Sequence, residues 1–378
     1  MTPPRDPVAA VVHPDPYPYY ADLVAHRPLH RDDGLGLWVA SSAEAVTAVL
    51  TSDRCRVRPS AEPVPGALLE SPAGEIFGRL VRMNDGVGHA AMKDAVSATF
   101  EALDVARVTT LGRERARALV DATAPQDDAS RLTDFAFRLT ADVVASLLGA
   151  EPSTLPAVAR WTDDFVRCLA SGTPPDQLAR GKTAAGELLA FGRSLRSRDG
   201  LVAGLRRHAP DSDDASAANA IGFLSQSYEA TAGLIGNTLL ALARFPDLRR
   251  AVPAVVLEVL RHDAPVQNTR RFVAEAGDVA GVEMKSGDAI LVVLAAANRD
   301  PAANPDPAEF DVTRTAPAVF TFGVGPHACP GTKLATTIAA AGVQQLIAAG
   351  LNLDGLAESM TYRPSANTRI PLFRTKAR

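Results

Sequence analysis

The chain has 378 residues, of which 47% are hydrophobic and 22% are charged, and its net charge is −4. This composition is that of a folded globular protein, and it excludes collagen-like and disordered chains. The slight negative charge, with no run of Lys and Arg alternating with aromatic residues, argues against a nucleic acid partner.

Membrane and secretory classes are excluded next. The N-terminus lacks the apolar core of a signal peptide, and the longest apolar run, 289–297, is too short to span a bilayer. The three cysteines, Cys55, Cys168 and Cys329, lie far apart and form no C-x-x-C pair. An odd, sparse set of thiols suits a reducing compartment. We therefore expect a cytoplasmic protein with no membrane partner.

The first 60 residues predict a strand pair around 28–41 and a helix at 42–52 that begins with a serine cap. From Pro59 to Gly88 the sequence is rich in Pro, Gly and Ser, which predicts a long loop. From His89 to about Leu240 the pattern is helical almost throughout.

Strand-like sequence returns at 269–298, with a hairpin turn predicted at Lys285–Asp288. No internal repeat and no low-complexity linker separates the helical and strand-like parts. The prediction is a mainly α fold with a small β region, organised as one domain over residues 1–378.

The segment 321–335, TFGVGPHACPGTKLA, allows three interpretations. As a nucleotide loop, its G-x-G-x-x-A pattern lacks the acidic residue expected about 20 positions later. As a redox thiol or nucleophile, Cys329 has His327 as a base but no adjacent carboxylate to orient it. As a metal ligand, a lone thiolate on a glycine-rich loop at a helix start suits the axial position of a haem iron.

The helix after this cysteine supports the third interpretation. Apolar or small residues occupy two neighbouring columns of its predicted surface, so we expect the helix to be buried and to hold the sulfur in place. The columns are Leu334, Ile338, Gly342 and Leu346, and Ala335, Ala339, Val343 and Ile347.

The pattern F-G-x-G-x-H-x-C-x-G in this segment resembles the haem-binding loop of the cytochrome P450 family. Its fixed positions are Phe322, Gly323, Gly325, His327, Cys329 and Gly331. The resemblance implies that Cys329 is the thiolate ligand of a haem b iron and that His327 reaches a haem propionate. It also implies the mainly helical, single-domain fold of that family, a triangular helical prism.

Further haem contacts are implied by the same resemblance. Arg270 corresponds to an arginine that binds a propionate, and His89 and Lys93 match a His-x-x-x-Arg helix with lysine in place of arginine. Lysine keeps the charge but loses the bidentate fork.

Glu258 and Arg261 lie three residues apart in an apolar stretch, hence on one face of a buried helix. They resemble the family's structural Glu-x-x-Arg pair. The family usually adds an arginine where this chain has Glu309, and Arg314 is the substitute that the sequence offers. The stretch 237–258 is shorter than usual, which predicts a trimmed helix.

Residues 220–239 resemble the family's central helix over the distal haem face, with its acid at Glu229. The alcohol that usually follows is replaced by Ala230, and Thr231 comes one residue later. One step along a helix turns a side chain by about 100°, so Thr231 cannot simply take that place.

Oxygen activation requires protons, which a short relay of acid, alcohol and water delivers. We hypothesise that Gln226, Ser227 or a substrate hydroxyl orders the water and that Glu229 supplies the protons. The predicted catalytic set is Glu229, Gln226, Ser227 and Thr231. After the cysteine, Pro330 has no N–H to donate to the sulfur, which predicts a more negative haem potential than leucine would give.

The implied activity is insertion of one oxygen atom from O2 into an organic substrate, in secondary metabolism, on a carrier-bound amino acid or polyketide. Electrons would come from a ferredoxin and a ferredoxin reductase, with Lys93 and Lys333 as contacts. We expect residues of the 59–88 and 161–200 segments to line the pocket, among them Leu68, Leu69, Ile76 and Phe77.

The absent alcohol at Ala230 keeps a second interpretation open: a peroxide-driven or non-oxygenating haem-thiolate enzyme, that is, a peroxygenase, an isomerase or a dehydratase. A haem-binding sensor without turnover is a third.

Overall fold

The structure is a computed structural model that describes residues 2–170, 172–195, 201–208 and 213–374. Most of these residues are helical, as the sequence predicts. The helices are α1 (Pro7–Ala10), α2 (Tyr17–His26), α3 (Ala43–Thr51), α4 (Pro72–Arg79), α5 (Gly86–Glu101), α6 (Val105–Thr123), α7 (Leu132–Leu148), α8 (Leu155–Cys168), α9 (Pro175–Ser194), α10 (Leu201–His208), α11 (Asp213–Arg244), α12 (Val252–His262), α13 (Leu294–Asn298) and α14 (Thr332–Ala348).

The strands are short, and in the described ranges they form one five-stranded sheet, in the order β1-β2-β7-β4-β3, and two hairpins, β5-β6 and β8-β9. They are β1 (Leu29–Asp32), β2 (Leu37–Ala40), β3 (Cys55–Arg56), β4 (Thr269–Val273), β5 (Gly277–Val279), β6 (Val282–Met284), β7 (Ala289–Val292), β8 (Met360–Tyr362) and β9 (Pro371–Phe373). Within the large sheet, β2 and β7 run parallel and the other neighbours antiparallel.

The hairpin predicted at Lys285–Asp288 is wrong. A turn does occur there, closed by a hydrogen bond from the Asp288 N–H to the Lys285 carbonyl at 3.0 Å. It joins β6 to β7, however, and these strands belong to different sheets. β6 pairs with β5 across Ala280 and Gly281 instead, because β7 is already paired on both sides, with β2 and β4.

The 59–88 segment is also more ordered than its composition predicts. It contains α4, which begins at Ser71, whose hydroxyl accepts a hydrogen bond from the Gly74 N–H at 3.3 Å. Pro72 occupies the first turn of this helix, where proline costs nothing because its missing N–H has no partner there. Short 3-10 helices, Gly66–Leu68 and Val81–Met83, flank α4.

Helix α11 is the central element of the helical core. Its 32 residues extend about 48 Å at 1.5 Å per residue, and residues on most of its faces are buried. It packs against α7, α9, α12 and α14. The apolar columns predicted for α14 explain this position, since Leu334, Ile338 and Leu346 are all buried.

The chain between α11 and α12 forms only a 3-10 helix, Pro246–Arg250, in agreement with a shortened connection. None of the helices in the described ranges combines the length and the apolar character that crossing a membrane requires.

Candidate active site

A cavity of about 460 Å³ is lined by residues of α5, α11 and the cysteine loop, residues 321–331. Cys329, Phe322, Gly323 and Gly331 contribute from the loop. Much of the remaining lining is apolar and comes from distant parts of the chain. It includes Leu50, Val57, Val81, Val96, Phe100, Phe223, Leu234, Leu260, Val266, Leu294 and Leu334.

Hydrogen bonds within the cysteine loop hold the sulfur in one position. The N–H of Cys329 donates to the carbonyl of Phe322 at 2.7 Å. The N–H of Gly331 points at the sulfur, with 3.4 Å between the nitrogen and Sγ. The sulfur therefore keeps one backbone donor, although Pro330 supplies none.

Two glycines of the loop adopt backbone conformations that side chains disfavour. Gly323 has φ +69° and Gly325 has φ +74°. At Gly325 a Cβ would also lie 2.9 Å from Cγ2 of Thr51 on α3. Gly323 lines the cavity, whereas Gly325 is required for the close contact between the loop and α3.

The environment of Cys329 suits metal binding. Burial raises the pKa of its thiol, while the Gly331 N–H and the positive charges of Lys93 and Arg82 lower it. The sulfur is enclosed by protein, yet it has accessible surface, and this surface faces the cavity. A metal ion bound there would deprotonate the thiol outright.

Three of the predicted propionate ligands meet beside the cysteine. The rings of His89 and His327 have centroids 4.0 Å apart, and Nε2 of His327 lies 3.1 Å from the carboxylate of Asp85. Lys93 donates from Nζ to the carbonyl of Ala328. Burial, and then the charges of His327 and Lys93, lower the pKa of His89 to about 4, so its ring is neutral at pH 7.

The fourth predicted ligand, Arg270, has a neighbour that sequence reasoning missed. Both Arg270 and Arg271 of β4 line the cavity, but successive strand residues face opposite sides. Arg270 is exposed, whereas Arg271 is only 7% exposed. Burial lowers the pKa of Arg271, and the nearby charge of Asp85 acts in the opposite direction. Two adjacent arginines in a sequence do not show which of them faces inward.

Helix α11 presents Gln226, Ser227, Ala230 and Thr231 to the cavity. The Ser227 hydroxyl donates to the Phe223 carbonyl at 2.6 Å, so its proton is used within the helix. The Thr231 hydroxyl is fully buried and has no hydrogen-bond partner among the described residues. An unpaired buried hydroxyl is unfavourable, and since Thr231 has no accessible surface, a cavity water reaches it only after the side chain shifts.

Glu229, the predicted proton source, is not part of the cavity lining. Its carboxylate accepts hydrogen bonds from Nη1 of Arg363 at 2.7 Å and from the hydroxyl of Thr368 at 3.3 Å. A proton leaving Glu229 for the cavity therefore needs a linking water.

The Glu258 and Arg261 side chains form a buried, bidentate ion pair on α12, with Nε–Oε2 at 3.0 Å and Nη2–Oε1 at 2.5 Å. Arg261 also donates to the carbonyl oxygens of Pro307 and Glu309, at 2.8 and 2.7 Å. Nε of Arg314 lies 3.6 Å from the same carboxylate. Arg314 thus occupies the position expected of a substitute arginine.

The pocket residues predicted from sequence are placed elsewhere. Leu68, Leu69, Ile76 and Phe77 do not line the cavity. Three of them are buried in the hydrophobic core, and Leu69 is 56% exposed. No described residue of the predicted 161–200 segment lines the cavity either, because α4 and α9 pack against each other and against α11. Residues 171 and 196–200 of that segment lie outside the described ranges.

The predicted 59–88 segment does line the cavity, but through Val81, Arg82 and Met83, and Val57 and Arg58 precede it. Sequence reasoning missed both arginines. A signal for Arg82 existed, since it is the one charged residue in the short apolar run 80–83 that precedes the His89 helix.

These features fit a haem. Cys329 offers the sulfur ligand, the apolar residues offer contacts for the macrocycle, and cationic and imidazole groups are available for the two propionates. Those groups are His89, Lys93, Arg270, Arg271 and His327. No described Asp or Glu lines the cavity to compete with them.

Comparison with known proteins agrees with this geometry. The family model described as Cytochrome P450 matches residues 249–348. The chain is 32% identical over 359 residues to cytochrome P450 monooxygenase PikC of Streptomyces venezuelae, covering 88% of this chain and 83% of that protein. It is 30% identical over 351 residues to 6-deoxyerythronolide B hydroxylase of Saccharopolyspora erythraea, covering 85% of each. The crystal structure of CalO2 matches with a TM-score of 0.80 at 26% identity, over 99% of both chains.

The similarity to PikC covers most of the chain, and the CalO2 structure shares its fold. The cofactor is haem b, and the enzyme is an oxidoreductase that uses an organic substrate, O2 and a redox partner. The chain therefore belongs to the cytochrome P450 family of haem-thiolate monooxygenases.

Proposed function

We propose that this enzyme inserts one oxygen atom from O2 into an organic substrate of bacterial secondary metabolism. The observation that carries the proposal is the Cys329 sulfur, which faces the cavity and accepts a hydrogen bond from the Gly331 N–H at 3.4 Å. Haem bound there supplies the oxidising iron, and electron donation from the thiolate favours O–O cleavage.

The residues around the cavity have separate tasks in this proposal. His89, Lys93, Arg270 and His327 bind the propionates, and Arg271 adds a second guanidinium beside Asp85. The buried helix α11 excludes bulk water from the reacting side, and α14 does so on the side of the sulfur. Phe322 packs at the edge of the ring.

Proton delivery is assigned to α11. Gln226 and Thr231 are the better candidates to order a cavity water, because the Ser227 proton is already donated to Phe223. Glu229 takes up a proton from bulk water, which weakens its hydrogen bond with Arg363, and passes that proton to the cavity water.

Restoring the missing alcohol tests this relay. In Ala230→Thr we expect the coupling of reductant to product to rise, and in Gln226→Ala to fall, each by about 5-fold, the factor that one hydrogen bond of about 1 kcal/mol represents. Product formed per reductant consumed is the measurement. Ser225→Ala, on α11 but outside the cavity lining, is the control. Unchanged coupling in both test variants would contradict the relay.

The alternative function keeps the haem but not the reductant. Ala230 in place of an alcohol, and the ion pair that occupies Glu229, favour a peroxygenase, an isomerase or a dehydratase. Oxygen uptake with reductant, ferredoxin and substrate supports the monooxygenase. Product formation with hydrogen peroxide alone, or with no oxidant, supports the alternative.

The substrate and electron donor are the finer parts of the proposal. The similarity to a hydroxylase of 6-deoxyerythronolide B supports hydroxylation, and a carrier-bound amino acid or polyketide is our substrate class. For an acidic ferredoxin, Lys333 is exposed at the start of α14, whereas Lys93 is directed at the Ala328 carbonyl and is a weaker candidate. Three free cysteines agree with a cytoplasmic location.

A screen of ligands for the haem spin-state change is the experiment that identifies the substrate. A reduced carbonyl adduct without thiolate-type absorption would overturn the haem-thiolate assignment itself.

A further inference from the structure

The charges that line the cavity are unbalanced. Five side chains with a permanent positive charge line it, and no described Asp or Glu does. The five are Arg58, Arg82, Lys93, Arg270 and Arg271. The two propionates of haem b neutralise only part of this charge. An enclosed site with surplus cations attracts a further anion.

The five cations differ in their partners. Lys93, Arg58 and Arg271 each donate to a backbone carbonyl oxygen, and Arg270 lies next to Arg271 on β4. Arg82 forms no hydrogen bond and no ion pair with any residue in the described ranges. The Arg270 side chain likewise forms none in these ranges, but it is assigned to a haem propionate, which leaves the Arg82 guanidinium as the lining cation without an assigned partner.

Arg82 is positioned on the side of helix α11. It lies in the 3-10 helix Val81–Met83, and the N–H of Val81 donates to Oδ1 of Asn219 at 2.9 Å. Nδ2 of the same Asn219 donates to the carbonyl of Arg79 at 3.0 Å. These bonds fasten the segment to α11, two turns before Gln226, and not to the cysteine loop.

The side chain points into the cavity from there. Arg82 is exposed by its accessible surface, although many protein atoms surround its guanidinium, and it is among the cavity-lining residues. Burial lowers its pKa, and the charges of Cys329 and Glu229 act in the opposite direction without contacting it. No hydrogen bond or ion pair joins Arg82 to Glu229, whose Oε1 accepts from Nη1 of Arg363 at 2.7 Å.

A guanidinium that faces the cavity without a counterion is available to a ligand carboxylate or phosphate, which it would bind bidentately. We infer that the substrate of this enzyme carries such an anionic group, which binds Arg82, while an apolar remainder contacts the lining. The inference rests on the proposed function, because it assigns the substrate class of the same cavity.

Matched probes test the inference on the haem-loaded enzyme. Decanoate, decyl phosphate and 1-decanol share one alkyl chain and differ in the head group. Their affinities are measured from the spin-state absorbance change and by calorimetry, in wild type, Arg82→Gln and Arg82→Lys. Arg79→Gln, an exposed arginine three residues earlier, is the control. Haem content and the reduced carbonyl spectrum are recorded for every variant.

We expect wild type and Arg79→Gln to bind at least one charged probe on the order of 10- to 100-fold more tightly than the alcohol, the range of a charge-assisted hydrogen bond. Arg82→Gln loses this preference and Arg82→Lys keeps part of it. The better of decanoate and decyl phosphate identifies the group.

Two results would overturn the inference. One is equal or absent binding of the charged probes in wild type with a normal thiolate spectrum. The other is lower haem retention in Arg82→Gln with an unchanged probe preference, which would assign Arg82 to a propionate. Absence of the thiolate spectrum in wild type would instead reject the proposed function.

Discussion

The residue after Cys329 affects how many backbone N–H groups donate hydrogen bonds to its sulfur. Pro330 cannot donate, and the Gly331 N–H at 3.4 Å is the backbone donor that remains. In Pro330→Leu we expect the haem potential to rise by tens of millivolts, on the order of 40 mV, because a hydrogen bond contributes about 1 kcal/mol and about 1.4 kcal/mol corresponds to 59 mV for one electron.

Spectroelectrochemical titration measures this shift. Pro330→Ala is the matched variant, since it restores the N–H without a larger side chain. An equal or lower potential in both variants would show that the new N–H does not reach the sulfur.

A second single residue controls acid stability. Burial, followed by the charge of Arg299, lowers the pKa of His262 to about 3. The native ring stays neutral while the unfolded chain binds a proton below about pH 6.5, so stability falls as the pH drops from there. Between pH 7 and pH 5 this histidine accounts for a loss of about 2 kcal/mol.

Urea unfolding at pH 7 and pH 5 tests this. His262→Gln should lose about 2 kcal/mol less than wild type over that interval. The exposed His26→Gln should lose as much as wild type. If the free energy of unfolding fell equally with pH in wild type and His262→Gln, protonation of His262 would not be the cause.

At the scale of elements, two glycines of α9 test how tightly helices pack. A Cβ at Gly181 would lie 2.2 Å from the Cβ of Cys168 on α8, whereas a Cβ at Gly186 would meet Pro72 at an ordinary 3.7 Å. Gly181→Ala should therefore destabilise the protein by about 1 to 3 kcal/mol through overpacking. Gly186→Ala should stabilise it by up to about 1 kcal/mol, the helix propensity difference.

Thermal and urea unfolding of the two variants provide the measurement. Because both substitutions are identical and lie in one helix, the propensity gain is common to them and the difference reports packing. A stability gain in both variants would show that α8 and α9 separate without cost.

At the scale of the whole molecule, one ion pair ties distant segments together. Arg261 of α12 pairs with Glu258 and donates to the carbonyls of Pro307 and Glu309. Glu258 also accepts a hydrogen bond from the Asp311 N–H at 3.0 Å. Removing one partner leaves a buried charge unpaired, which costs about 3 to 5 kcal/mol. We expect Glu258→Ala to lose that much stability.

Urea unfolding measures the loss, and haem retention reports whether the cysteine loop, which follows the 307–311 segment, is disturbed with it. Leu257→Ala, at a position that is 54% exposed, should differ little from wild type. A small loss in Glu258→Ala would mean that water replaces the carboxylate.

The helical class, the strand pair at 28–41 and the cysteine loop could be predicted from the sequence. Each depends on the spacing of nearby residues and on residue types, such as Gly and Cys, that have few structural roles. The one-domain organisation stays a prediction. The cavity lining was predicted poorly, since Leu68, Ile76 and Phe77 look like pocket residues but turn into the core. Periodicity identifies an apolar face without identifying what covers it.

From the sequence alone come the prediction of Cys329 as the haem ligand and the absence of an alcohol at position 230, because both depend only on which residue occupies a position. Other features of the site depend on how the chain folds. The fold places Arg271, and not Arg270, in the buried position on β4. It also pairs Glu229 with Arg363 and places Arg82 in the cavity lining. Each of these depends on contacts between segments that are remote in sequence, and a local pattern carries no information about such partners.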